Sequence, residues 1–132
     1  MFLVDTSVLI DVITVDPTWG EWSAQAIESA LSRAPTGINQ IIYAEVSGSY
    51  PTIDACEAVL TPVGLERFDI PYEAAFLAGA AHHRYRRAGG RRHTTLPDFF
   101  IGAHSAFSNL TLITRDPRPY RSYFPDVPLI TP

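Results

Sequence analysis

The first thirteen residues, MFLVDTSVLIDVI, constrain the fold more than any other stretch of the chain. Phe2, Leu3 and Val4 form an apolar run without a polar break, which is typical of a strand buried on both faces of a sheet. Asp5 follows directly, and apolar residues at helical spacing begin at Val8. This order places Asp5 at the carboxyl edge of a parallel sheet, where open α/β sheets bind ligands. Asp, Thr and Ser are also common N-cap residues, so a purely structural role remains open.

Short apolar runs alternate with helical patterns along the rest of the chain. The patterns predict strands at 38–42, 65–70, 110–114 and 127–131, and helices at 22–34, 54–60, 71–87 and 97–109, with a further helix carrying Glu45. This alternation predicts a three-layer α/β fold, with a central parallel sheet of about five strands flanked by helices. A chain of 132 residues has room for one such core, so we expect a single domain over residues 1–132.

The composition excludes several classes of protein. No stretch approaches the roughly 18 apolar residues of a membrane-spanning helix. The N-terminal apolar run has no basic region before it, which argues against a secretory signal. Cys56 is the only cysteine, so an internal disulfide is excluded. We therefore expect a cytoplasmic protein that makes no contact with a membrane.

The positive charges are clustered although the net charge is −4. Arginine supplies all ten, with five between Arg84 and Arg92 and three between Arg115 and Arg121. Local positive patches, more than net charge, indicate phosphate binding. Basic residues at a helix C-terminus also favour the helix dipole, so the first cluster has a structural interpretation too.

Four acidic residues fall where the predicted strands end or the next helices begin: Asp5, Glu45, Asp98 and Asp116. In a parallel sheet these positions share one edge, so the four carboxylates are expected to converge there. Each also has a structural explanation, since Asp98 fits a capping box with Thr95, Glu45 suits a helix N-terminus, and Asp116 suits a turn. Together they repel one another unless a cation lies among them.

A cluster of oxygen ligands selects Mg²⁺ or Mn²⁺. Such an ion suits phosphodiester cleavage, because it lowers the pKa of a bound water that then attacks phosphorus. Hydroxyls close to the acids in sequence are expected to orient the carboxylates or the water: Thr6, Ser7 and Thr114. Arginines near Asp98 and Asp116 are expected to hold the phosphates of the strand that is cut: Arg91, Arg92 and Arg115.

Four segments in order resemble the motifs of PIN-domain nucleases, and specifically of the VapC-like toxin ribonucleases of bacterial toxin–antitoxin pairs. They are VDTSVLID around Asp5, INQIIYAEV around Glu45, LPDFFIGAHS around Asp98 and LITRD ending at Asp116. The resemblance covers nearly the whole chain. Asn109 stands where a glycine often ends the helix of the third motif, and asparagine tolerates the same left-handed backbone.

The resemblance implies a Mg²⁺- or Mn²⁺-dependent endoribonuclease with Asp5, Glu45, Asp98 and Asp116 as catalytic residues. Asp5 and Asp98 are implied as the firmest metal ligands, and Asp116 as a more variable one. Similar toxins dimerise and are held inactive by a small VapB-like antitoxin, so RNA, an antitoxin and a second copy of the chain are the implied partners.

Two other functions remain open. One is a PIN nuclease without an antitoxin that acts in RNA maturation or on DNA. Alternatively, the chain is a binding module that has lost the reaction, although all four acids are present. A haloacid-dehalogenase-type phosphotransferase is not favoured, because Ser7 stands where its second aspartate is needed.

Overall fold

A computed structural model describes residues 1–90 and 94–132. Within them, five parallel strands form one sheet: β1 (Phe2–Val4), β2 (Thr36–Ile38), β3 (Glu66–Arg67), β4 (Thr111–Ile113) and β5 (Leu129–Ile130). The strand order is β3-β2-β1-β4-β5, so the first strand of the chain is the central one. The carboxyl ends of all five strands therefore meet at one edge of the sheet.

Helices cover both faces of this sheet. In the described part of the chain they are α1 (Thr6–Thr14), α2 (Gly20–Leu31), α3 (Gln40–Ser47), α4 (Ile53–Leu60), α5 (Tyr72–Arg87), α6 (Leu96–Ser108) and α7 (Arg118–Tyr123), with a 3-10 turn at Thr61–Val63. All three residues of β1 are buried, and successive side chains of a strand point to opposite faces. Both faces are therefore covered, which confirms the predicted three-layer α/β fold with about five parallel strands.

All four strands predicted after the first are shorter in the structure, where 110–114 forms Thr111–Ile113 and 127–131 forms Leu129–Ile130. The other two differ more. The strand predicted at 38–42 stops at Ile38, because the Asn39 side chain caps α3 by accepting a 3.0 Å hydrogen bond from the Ile42 backbone N–H. The apolar residues beyond Ile38 thus belong to a helix, and that part of the prediction is wrong. The strand predicted at 65–70 forms only Glu66–Arg67, an exposed pair at the edge of the sheet.

The end of α6 and the whole of α7 determine how the last part of the chain packs. Asn109 ends α6 with a φ of 55°, as its tolerance of the left-handed region predicted. Gly102, in the middle of α6, lies directly against the ring of Phe124, the residue that follows α7, since a Cβ atom built on it would clash with that ring. The glycine therefore allows the end of α7 to pack closely on α6.

No helix in residues 1–90 or 94–132 combines the length and the apolar character needed to cross a membrane.

Candidate active site

Asp5 lies at the end of the central strand, and both oxygens of its side chain accept hydrogen bonds. Oδ1 accepts one from the Thr6 backbone N–H at 2.8 Å, so Asp5 is also the N-cap of α1. Oδ2 accepts one from Thr114 Oγ1 at 2.7 Å and one from the Tyr120 hydroxyl at 3.2 Å. The structural and functional interpretations of Asp5 are thus compatible, because one carboxylate caps a helix and stands at the sheet edge.

Burial dominates the electrostatics of Asp5. It raises the pKa of the carboxyl to about 6, against the opposing effect of the hydrogen bonds from Thr114, Thr6 and Tyr120, while the charge of Asp98 raises it further. The pKa of the Tyr120 hydroxyl is also raised, first by burial and then by the charges of Asp5, Asp98 and Glu45. Those three carboxylates therefore act on one buried hydroxyl from three different elements of the fold.

Glu45 is brought to this edge by α3. Its Oε1 accepts a 2.6 Å hydrogen bond from Thr6 Oγ1, across 39 residues of sequence. Glu45 itself is exposed, and Thr6 is half-buried in the first turn of α1. Ser7, the next residue, makes no hydrogen bond through its hydroxyl to any residue that the structure describes.

Asp98 lies in the first turn of α6, where it closes the capping box predicted with Thr95. Its Oδ2 accepts hydrogen bonds from the Thr95 backbone N–H at 2.9 Å and from Thr95 Oγ1 at 3.0 Å. The capping role uses one carboxylate oxygen only. Asp98 is half-buried, so its other oxygen remains available to a ligand.

Asp116 is exposed and is engaged by a neighbouring arginine. Arg118 Nε lies 2.8 Å from Asp116 Oδ1, and Arg118 Nη2 lies 3.0 Å from Oδ2. This bidentate pair lowers the pKa of Asp116. The Asp116 backbone N–H also donates a 3.1 Å hydrogen bond to Thr114 Oγ1, which links the turn to the hydroxyl that holds Asp5.

Asp5, Glu45 and Asp98 lie near one another, and none of them pairs with a basic residue that the structure describes. The ion pairs among the described residues are Arg67–Glu57, Arg115–Asp11 and Arg118–Asp116. No three His, Cys, Asp or Glu side chains of residues 1–90 and 94–132 lie close enough together to hold a metal ion. The chemistry of these donors, three carboxylates on three elements, nevertheless fits a hard divalent cation.

The three predicted RNA-binding arginines have different positions. Arg91 and Arg92 lie outside the described residues. Arg115 binds Asp11, with Nε 2.6 Å from Oδ2 and Nη2 3.1 Å from Oδ1, and its guanidinium lies 5.4 Å from the centre of the Trp19 ring. Its side chain therefore joins β4 to α1 and to the start of α2.

Sequence reasoning missed Tyr120 and Asp11. Tyr120 belongs to α7, a six-residue helix with prolines at 117 and 119 and no apolar periodicity that predicts it. Asp11 is 2% exposed and accepts a 2.7 Å hydrogen bond from Ser23 Oγ in addition to its bonds from Arg115. Its position between Val8 and Val12, on the apolar side of α1, was the available signal, because a buried acid requires a partner.

Comparison with known proteins gives one family. A family model described as PIN domain matches residues 2–125. None of the curated proteins searched matches the sequence significantly.

Several solved structures share the fold over almost the whole chain. VapBC2 from Rickettsia felis bound to a promoter DNA fragment matches with a TM-score of 0.76 and 18% identity, over 98% of this chain and 97% of that one. A toxin–antitoxin complex from Klebsiella pneumoniae matches with a TM-score of 0.70 and 23% identity, over 99% and 97%. DNA-bound VapBC from Salmonella typhimurium matches with a TM-score of 0.68 and 22% identity, over 98% and 96%. At these identities the likeness establishes a common fold.

Proposed function

Since the chain belongs to the PIN-domain family, we propose that it is a divalent-metal-dependent endoribonuclease and the toxin of a VapBC-type pair. Family membership supports a nuclease, and the VapBC-like fold supports a toxin. The observation that carries the proposal is the group formed by Asp5, Glu45 and Asp98. These three acids stand at the carboxyl edge of the sheet without a basic partner among the described residues.

Asp5 and Asp98 would hold Mg²⁺ or Mn²⁺, and Asp116 would join them only by releasing Arg118. Bound there, the ion supplies a water of lowered pKa as the nucleophile for a phosphodiester. Thr114 fixes Asp5, and the capping hydrogen bonds fix Asp98. The protein's part is thus to hold these carboxylates in a constant orientation.

Glu45 has a different role from the buried Asp5. Thr6 holds its Oε1, and the exposed carboxylate retains acceptor sites on Oε2. A carboxylate in that position orients the attacking water by accepting a hydrogen bond from it. Thr6 therefore acts through Glu45, as Thr114 acts through Asp5.

The substrate proposed is RNA in single-stranded or loop form, where unpaired bases are accessible. The exposed arginines at the end of α5 are suited to its phosphates, together with Arg91 and Arg92 in the following segment. Arg115 is a weaker candidate than the sequence predicts, because Asp11 already occupies two of its nitrogens.

An apolar groove is suited to the antitoxin. It has a volume of about 380 Å³ and is lined mainly by Val12, Ile27, Leu31 and Val63. Such a groove fits the apolar face of a short amphipathic helix.

The homodimer is proposed on the outer face of α5. Tyr72 and Phe76 are 92% and 80% exposed, and Gly79 continues the same face one turn further. Large exposed aromatics of this kind are typical of interfaces. Two other small residues of α5, Ala78 and Ala81, are buried and cannot contribute.

Cleavage of a structured RNA by wild type and Asp5→Asn tests the enzymatic proposal. The reactions are run with Mg²⁺, with Mn²⁺ and with EDTA. We expect cleavage that requires the ion and is lost in Asp5→Asn. The control is Asp126→Asn, an exposed acid near the opposite end of α6 from Asp98, which should cleave like wild type. Cleavage that persists in EDTA or in Asp5→Asn contradicts the mechanism.

Co-expression with the product of a short adjacent reading frame distinguishes the toxin from an antitoxin-free PIN nuclease. We expect wild type alone to arrest growth, Asp5→Asn not to, and the neighbour to relieve the arrest. Failure of every adjacent product to bind or inhibit the protein favours a nuclease of RNA maturation or of DNA. A protein that binds RNA without cleaving it favours the binding module.

A further inference from the structure

Tyr120 places a hydroxyl at the base of the acidic group. The residue is 1% exposed, and its hydroxyl donates a 3.2 Å hydrogen bond to Asp5 Oδ2. A phenol hydroxyl carries one proton, and an ionised carboxylate only accepts hydrogen bonds. In this pair Tyr120 is therefore the donor and Asp5 the acceptor.

The geometry points to Tyr120 as a positioning residue for Asp5: with Thr114 it fixes Oδ2 at the base of the site and leaves Oδ1 to serve a cation. This inference rests on the function proposed above. Tyr120 touches neither RNA nor the reacting atoms in this role. Its effect on the reaction passes through the orientation of one carboxylate.

The number of hydrogen bonds to Asp5 supports this assignment. An ionised carboxylate has about four acceptor sites, two on each oxygen. On Oδ2, Thr114 and Tyr120 occupy both, and the Thr6 N–H occupies one site on Oδ1. Among the described residues no other donor reaches Asp5, so the remaining site is on Oδ1. Removal of the tyrosine hydroxyl frees a site on Oδ2 and lets the carboxylate rotate.

The turn after β4 delivers both Oδ2 donors. Thr114 Oγ1 accepts a 3.1 Å hydrogen bond from the Asp116 backbone N–H, and its hydroxyl lies closer to Asp5 Oδ2, at 2.7 Å, than to the Asp116 carbonyl, at 3.4 Å. α7 follows at once, and Phe124, at the end of α7, packs against Gly102 of α6. The position of Tyr120 is thus determined by backbone and close packing on both sides.

A purely structural role for Tyr120 is the competing interpretation, because its ring fills part of the core. Tyr120→Phe separates the two roles, since it keeps the ring and removes one oxygen atom. Tyr123→Phe is the matched control. It lies on the same helix, its ring packs on Tyr85 and Phe99, and its hydroxyl makes no hydrogen bond to Asp5.

The experiment measures Mn²⁺ affinity by titration calorimetry for wild type, Tyr120→Phe, Tyr123→Phe and Asp5→Asn, with urea unfolding of each protein in EDTA. Loss of a residue that orients a metal ligand typically weakens metal affinity about 10- to 100-fold. We expect a loss of that size in Tyr120→Phe, and affinity within about twofold of wild type in Tyr123→Phe. RNA cleavage by Tyr120→Phe should recover partly as Mn²⁺ is raised.

Mn²⁺ affinity in Tyr120→Phe equal to that of Tyr123→Phe overturns the inference and leaves the proposed function standing. A loss of affinity matched by an equal loss of folded protein in EDTA also overturns it, because a structural role then explains the result. A wild type that binds no Mn²⁺, or an Asp5→Asn that binds it equally well, overturns the proposed function itself.

Discussion

Asp11 and Arg115 form a bidentate ion pair across 104 residues of sequence, with Arg115 Nε 2.6 Å from Asp11 Oδ2. The two side chains are unequally buried, since that of Asp11 is 3% exposed and that of Arg115 is 29% exposed. Ser23 adds a hydrogen bond to the aspartate, and Trp19 lies beside the guanidinium. The pair thus connects α1, α2 and the segment after β4, beside the candidate site.

The unequal burial predicts unequal costs of removing each partner. Arg115→Gln should lower the free energy of unfolding by about 3 kcal/mol, because it leaves the Asp11 carboxylate buried without its ion pair. Asp11→Asn should cost less, about 1–2 kcal/mol, since the partly exposed guanidinium can turn to water. Urea unfolding measures both, with Arg67→Gln of the exposed Arg67–Glu57 pair as the control at under about 1 kcal/mol. Equal costs for the two variants contradict this account.

Gly102→Ala should disturb the active site from a distance. The new methyl group would meet the Phe124 ring, so the end of α7 must move and Tyr120 moves with it. We expect a loss of about 1–3 kcal/mol in unfolding free energy, with weaker Mn²⁺ binding. Gly48→Ala is the matched control, since this glycine at the end of α3 has open space around it and a φ of −58° that suits alanine. Unchanged unfolding of Gly102→Ala would contradict the close packing described above.

The raised pKa of Asp5 predicts a specific dependence of stability on pH in metal-free protein. The pKa in the folded state is about 6, above the ordinary 3.8, so the folded protein binds the proton more tightly than the unfolded chain. The resulting contribution to stability is complete below pH 4 and is lost as the pH rises through 6.

Asp5→Asn isolates this contribution. In EDTA the variant and wild type should have similar free energies of unfolding at pH 4. At pH 7.5 the variant should be the more stable, by up to about 3 kcal/mol. Added Mg²⁺ should reduce this difference in free energy of unfolding at pH 7.5, because it stabilises wild type alone. A difference that does not vary with pH would show that Asp5 ionises as readily in the folded protein as in the unfolded one.

Asp116 should matter less for cleavage than Asp5. It is exposed and engaged by Arg118, whereas Asp5 is buried and held by three donors. We expect Asp5→Asn to lower kcat/KM at least about 100-fold, and Asp116→Asn about tenfold or less. Single-turnover cleavage at saturating Mg²⁺ provides the comparison. Equal losses would show that Asp116 leaves Arg118 and shares the metal.

Sequence patterns predicted the elements whose signals are local. The apolar run before Asp5 predicts a central buried strand, and Thr95 with Asp98 predicts a capping box; both are present. The apolar residues around Asn39 led to a predicted strand that is too long. The strand ends at Asn39 because its side chain caps α3, and a sequence pattern does not show that hydrogen bond. Local signals therefore gave the order of strands and helices more reliably than their limits.

The elements that were missed depend on contacts distant in sequence. Tyr120 reaches Asp5 across 115 residues, and nothing in the segment 117–123 predicts a helix. Arg115 could be assigned to phosphate from its charge alone, whereas its contact with Asp11 depends on how α1 packs beside β4. The role of such a residue follows from its partner, which the sequence pattern does not identify.

The position of β1 at the centre of the sheet has a consequence for synthesis of the protein on the ribosome. β1 emerges first, but one of its two neighbours, β4, comes more than one hundred residues later, and both donors to Asp5 Oδ2 follow β4. A nascent chain therefore carries Asp5 for most of its translation without the surroundings that orient it. A ribosome that stalls before Tyr120 releases a fragment in which the candidate site has not been assembled.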